Sequence, residues 1–161
     1  MNDRPHDTPH VTLSTAVTLT GLSKRTLWRR IADGLLRKMA SGRPEEESRL
    51  VVADLLQLGK LELSPSEQDN LLRADRGEPS AQLALALFFL QRQRPEAAVQ
   101  WLTKAAQQNQ ADAMHWLGTL YAEGSGVERD ERQASEWIRK AAAQHHPIAQ
   151  AQMAALFPGT Q

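Results

Sequence analysis

From residue 81 to the end of the chain, apolar side chains return at every third or fourth position, and short polar stretches interrupt them. That spacing predicts a train of helices, each carrying one apolar stripe. A helix of this kind cannot hide its stripe alone. Successive helices must therefore pile against one another, and the C-terminal part of the chain is expected to be a stack of helical hairpins. The first third has another rhythm. Short apolar-periodic stretches at residues 14–20 and 24–31 are followed by alternating segments on either side of a turn at Ser41-Gly-Arg-Pro44. This order predicts two short helices, a small two-stranded wing and a further helix starting near Ala53.

The stack has a fixed period. Ala98-Val-Gln-Trp101-Leu-Thr-Lys104-Ala-Ala106 recurs as Ala134-Ser-Glu-Trp137-Ile-Arg-Lys140-Ala-Ala142, so Trp101 and Trp137 lie 36 residues apart. Under the same shift Ala113, Leu117, Leu120 and Tyr121 fall on Ala149, Met153, Leu156 and Phe157. An earlier copy in Ala81, Leu85, Ala86, Phe88 and Phe89 precedes its counterpart by 32 residues. A period of this length marks a helical-repeat architecture. Ala86 and Gly118 are small enough for close helix crossings, and Trp101 and Trp137 supply large apolar bodies. Burying either indole is worth roughly 2 kcal/mol or more. In the loop Glu123 to Asp130, two glycines turn the chain, Val127 plugs the loop onto the core and Asp130 is suited to cap the next helix. Trp116 and Tyr121 are the candidate partner-binding residues of this region.

The string Ala113-x3-Leu117-Gly118-x2-Tyr121-x2-Gly124-x-Gly126-Val127-x2-Asp130-x3-Ala134-x2-Trp137-x2-Lys140-Ala141-Ala142 resembles the Sel1-like repeat, a relative of the tetratricopeptide repeat. The preceding unit, Ala81 to Ala106, lacks the Gly-x-Gly-Val loop and looks more like an ordinary tetratricopeptide unit. The resemblance implies a curved right-handed superhelix that receives a protein or peptide on its concave face. A helix from about Ser66 to Asp75 is expected as an atypical cap of this stack.

In the first third, Ser14 is placed to cap one helix, Gly21 to form the turn and Ser23 to cap the second, with Ala16, Leu19, Leu22, Leu27 and Ile31 as the core. Spacings of one, three and four residues put Lys24, Arg25, Trp28 and Arg29 together on the outer face of the second helix. Such a helix can enter a DNA major groove, its cations donating to guanine or phosphate. The elements from Leu13 to Leu55 are similar to the winged helix-turn-helix of excisionases and MerR-like regulators. The DNA-contacting set expected on this basis is Lys24, Arg25, Thr26, Trp28, Arg29, Arg30, Arg37, Lys38, Arg43 and Arg49. Glu45-Glu46-Glu47 departs from the usual basic wing tip and would repel phosphates. Trp28 fits three roles: stacking on a sugar, closing a dimer interface, or filling a half-buried place under the wing.

The expected organisation is a disordered tail at 1–10, a winged helix-turn-helix at 11–60 and repeats at 61–161. The fold class is mostly α, a small winged helix-turn-helix followed by an α-α superhelix. Leu50 to Ser66 is too apolar for a flexible linker and is expected to share core with the first repeat helix.

Charge qualifies this picture. The chain has 19 Lys plus Arg against 19 Asp plus Glu, which excludes nucleic-acid binding by bulk positive charge, yet residues 21–43 hold seven basic residues against Asp33 alone. Any DNA site is local. With no cysteine, neither disulfides nor thiolate metal sites arise. The opening stretch has no signal-peptide apolar run, and the cytoplasm is the expected location. His145-His146 reads as an inter-helix turn rather than a metal pair, and Gly124-Ser-Gly126 lacks the strand and Lys-Ser/Thr of a phosphate loop. No nucleophile–base pair or carboxylate dyad is evident, so neither enzymatic activity nor a cofactor is expected. Two functional readings stand. One is a regulator that binds double-stranded DNA as a homodimer and receives a protein partner on its repeats. The other is an adaptor in which both parts bind protein.

Overall fold

The computed structural model describes residues 8–39 and 48–156. It divides into two compact units, Met1–Asp75 and Arg76–Gln161.

The first unit runs β1 (His10–Thr12), α1 (Leu13–Thr20), α2 (Lys24–Ala32), β2 (Lys38–Met39), β3 (Arg49–Val51), α3 (Val52–Gly59) and α4 (Pro65–Asp75). The strands form an antiparallel sheet in the order β1-β3-β2, with Val11 and Lys38 both opposite Leu50. The sheet thus has three strands where the residue pattern predicts two, because a three-residue strand is too short to display alternation. Thr12, rather than Ser14, caps α1: it ends the strand in an extended conformation, and its hydroxyl accepts the Thr15 N–H at 3.3 Å. Gly21 closes that helix at φ 74°, and Ser23 caps α2 by accepting the Thr26 N–H at 3.1 Å. Val11, Ala16, Leu19, Leu27, Leu36, Leu50 and Leu55 are buried together, whereas Leu22 and Ile31 are only half-buried.

Asp75, at the end of α4, is the polar tie of this unit. Its buried carboxylate accepts the Thr12 N–H at 3.0 Å and the Thr12 hydroxyl at 2.7 Å, with the Arg49 guanidinium at 3.5 Å. Hydrogen bonds to a charged acceptor are stronger than neutral ones, and this set joins α4 to β1 and β3. The helix expected to cap the repeats therefore belongs to the first compact unit, whose boundary falls after Asp75 instead of near residue 60.

The second unit runs α5 (Pro79–Gln91), α6 (Pro95–Gln107), α7 (Ala111–Glu123), α8 (Glu131–Ala143) and α9 (Pro147–Leu156). Each helix packs on the next in sequence. Proline at the first turn of α5 and α6 starts those helices where its missing N–H costs nothing. Asn109 and His145, 36 residues apart, both adopt positive φ, 63° and 62°, and turn the chain at equivalent places. Trp101 is 1 % exposed, while Trp137 is half-buried. The repeat extends to a side-chain detail: Lys104 lies over Trp101 and Lys140 over Trp137, both at 4.3 Å from the ring centroid. Gly118 makes room for Ile138, whose Cδ1 would stand 2.6 Å from an added Cβ. Asp130 caps α8 through the N–H groups of Arg132 and Gln133. Among the described residues, no helix is long and apolar enough to cross a membrane.

Candidate functional site

Two surfaces carry candidate chemistry, one on each unit. On the first, Ser23 fixes the start of α2 and Leu27 anchors its inner face at 0 % exposure. Lys24, Arg25, Trp28 and Arg29 are consequently exposed along the outer face. Trp28 keeps 42 % of its surface, and Lys38 of β2 lies over its ring at 5.2 Å from the centroid. Lys24 and Arg25 sit at the positively polarised end of α2, which has no acidic residue in its first turn. Cations there oppose the helix dipole, and an anion brought to this end would relieve the conflict.

The remaining members of the expected DNA-contacting set are placed differently. Thr26 is half-buried, its hydroxyl 3.0 Å from the Ser23 cap. Arg30 is half-buried with its Nε enclosed and without a hydrogen-bond partner. Arg37 is engaged by Asp54, its Nη2 2.7 Å from one carboxylate oxygen and its backbone N–H 2.8 Å from the other. The side-chain hydrogen bond from Arg37 holds the Asp54 carboxyl below its ordinary range, although partial burial pushes the other way. Arg49 leans toward Asp75. Arg37 and Arg49 thus serve the fold through acidic partners in α3 and α4, and only a three-dimensional arrangement could bring those partners to them. Arg43 and Glu45–Glu47 lie outside the described residues.

On the second unit, a groove of about 460 Å³ opens between α7, α8 and α9. Gly118, Ala122, Ala134, Ile138, Met153 and Ala155 give it an apolar floor, and Thr119, Glu123, Ser135 and Gln152 add polar groups. Its origin is visible in the repeat. Positions occupied by Leu87, Leu90 and Val99 in the first repeat hold Thr119, Ala122 and Ser135 in the second, and Trp116 gives way to Gln152. Smaller side chains at equivalent places leave the space open. Of the expected partner-binding pair, Trp116 is 37 % exposed and Tyr121 is half-buried beside Val127 and Asp130, and neither lines this groove. The change in residue size between repeats was the available signal for the groove.

Sequence reasoning also missed His115 and the depth of His146. His146 does lie at the turn into α9, but it is 8 % exposed, and its ring stacks on that of His115 with centroids 4.5 Å apart.

The comparisons with known proteins follow this division. A family model described as Sel1 repeat matches residues 79–110 and 111–146. The second unit is therefore similar to Sel1 repeats across most of its length. The crystal structure of a Sel1 repeat protein from Oxalobacter formigenes is similar at 31% sequence identity with a TM-score of 0.52. That similarity covers 59% of this chain and 30% of the Oxalobacter protein, so the chain spans under a third of its relative. No curated protein matches the chain.

Proposed function

We propose that the chain is a cytoplasmic, non-enzymatic regulator whose repeats bind a protein and whose first unit, a winged helix-turn-helix, contacts double-stranded DNA. The repeat half of this reading is supported by the similarity to Sel1 repeats, which suggests protein–protein interaction. The groove between α7, α8 and α9, with its apolar floor, offers a place for a partner's apolar side chain. Ala122→Leu together with Ser135→Val restores the bulk of the first repeat and is expected to abolish capture of a partner while leaving the urea midpoint nearly unchanged. Undiminished capture by the filled variant would move the binding surface elsewhere.

The DNA half rests on one observation, the exposed row Lys24, Arg25, Trp28 and Arg29 on α2 with two cations at the positive helix end. So small a module makes few phosphate contacts, so the reading includes a homodimer. In a gel shift with genomic fragments at low salt, binding at micromolar protein is expected. Each phosphate-contacting cation removed, as in Lys24→Glu or Arg29→Glu, should lower the slope of log affinity against log salt by about one. No shift by the native chain at low salt, or a slope indifferent to both changes, would refute DNA contact.

A second reading is favoured by a specific feature of the same surface. Arg37 is held by Asp54, while Trp28 and Leu35 are 42 % and 55 % exposed. A face with less free charge and more apolar surface suits a protein. Under that reading a protein held through Trp28 survives nuclease treatment and is lost on Trp28→Ala; under the first, what Trp28 holds is DNA and nuclease removes it.

A further inference from the structure

We propose that His115 and His146 form an acid-operated latch that holds α9 in place near neutral pH and releases it on acidification. The inference concerns the stack itself and does not depend on which partner the groove receives.

The attachment of α9 is unusual in what it lacks. Its sequence, Pro147-Ile-Ala-Gln-Ala-Gln-Met-Ala-Ala-Leu156, contains no ionisable side chain, and among its described side chains only Ala149 is fully buried. Its first turn is held by His146. The Nδ1 of that ring accepts the Ala149 N–H at 3.2 Å, so the neutral ring carries its proton on Nε2, which faces the Asp112 carboxylate of α7 at 3.2 Å. His115, also on α7, lies flat against the same ring, 16° from parallel. One imidazole thus caps the helix, pairs with a carboxylate and stacks on a second imidazole.

Protonation of His115 damages this arrangement. A proton on His115 sets a cation against the face of its neighbour in a partly dry contact. Burial and the nearness of His146 both hold the His115 ring below the ordinary histidine value, with Gln152 and Asp112 acting the other way. The direction of the pH effect follows. A histidine that protonates less readily folded than unfolded leaves the unfolded chain with more bound protons in acid. Stability is then complete above the unfolded value and falls as pH drops through it toward the folded value.

Asp112 is the charge that works against this. On α8, Lys140 pairs with Glu136 at 2.7 Å and lies over Trp137, and the residues after it are Ala141 to Ala143. On α6, Lys104 covers Trp101. His145 is exposed at the turn, and the Asp112 carboxylate favours the charged form of His115 without outweighing burial. Release of α9 would remove Gln152, Met153 and Ala155 from the groove, so a partner seated there would be shed in acid.

Amide hydrogen exchange on the full chain tests the latch. Protection factors, corrected for intrinsic exchange, should fall at least about tenfold in α9 between about pH 7.5 and about pH 5, while α5 and α6 keep theirs. His115→Phe keeps a ring against His146 but cannot ionise, and it should hold α9 protected at both pH values. Uniform loss across the unit, no loss in α9, or loss in α9 that persists in His115→Phe would each overturn the proposal. Should that variant fail to protect α9 at neutral pH, NMR titration of the native chain decides. The His115 ring must then titrate below the ordinary histidine value, with the same midpoint as the loss of α9 protection; a separate midpoint sinks the idea.

Discussion

Gly126→Ala is expected to destabilise the repeat unit by about 2–5 kcal/mol, combining left-handed backbone strain with overpacking. Gly126 has φ 72°, and an added Cβ would lie 2.4 Å from the Pro95 carbonyl carbon, 2.6 Å from its oxygen and 2.7 Å from the Glu96 nitrogen. All three are backbone atoms at the start of α6 and have no rotamer with which to yield. The α7–α8 loop would have to lift from α6, taking with it Asp130 and the cap of α8. Gly124→Ala supplies the control. It shares the positive φ, 68°, but its nearest contact is the Arg129 Cβ at 3.1 Å, so about 1–2 kcal/mol is expected there. Urea unfolding of the three proteins measures the difference. Equal midpoints for the two alanine variants would show that the close approach to Pro95 does not matter.

Trp101→Ala should be as severe, at about 3–5 kcal/mol, because it empties a large buried site. The equivalent change in the next repeat, Trp137→Ala, should cost roughly half as much, since apolar stabilisation scales with the area removed from water. The two indoles occupy the same place in the period and each carries a lysine at 4.3 Å, so the contrast isolates burial from local sequence. Trp101 adds a second test. Its Nε1 has no hydrogen-bond partner, and an unsatisfied buried donor is a standing cost. Trp101→Phe removes that donor and should lose much less than Trp101→Ala. If Trp137→Ala proved the more damaging of the two alanine changes, the packing described for these helices would be wrong.

The repeat was legible because it is written in spacing. A helix that must bury one stripe repeats its apolar residues at 3.6-residue intervals, and hairpins that must stack repeat the whole pattern at 36 residues. Gly118, Gly126 and Asp130 were legible for a related reason: close approach, left-handed turns and helix caps each admit few residue types. The first unit was less so. Ser23, Gly21 and the outer face of α2 follow from local rules, but β1 is three residues long and pairs with residues some forty positions away, and nothing local announces it.

What the amino-acid order determined by itself is the helical stack, its register and the row of cations on α2, all consequences of interactions between residues a few positions apart. Tertiary structure alone decided that two cations outside α2 are engaged by carboxylates. Asp54 and Asp75 reach Arg37 and Arg49 only after the chain has doubled back, 17 and 26 residues along. It likewise decided that His115 and His146 meet, and that smaller side chains on three helices open one groove. Contacts between distant segments depend on how whole elements pack, and short-range periodicity carries no record of them.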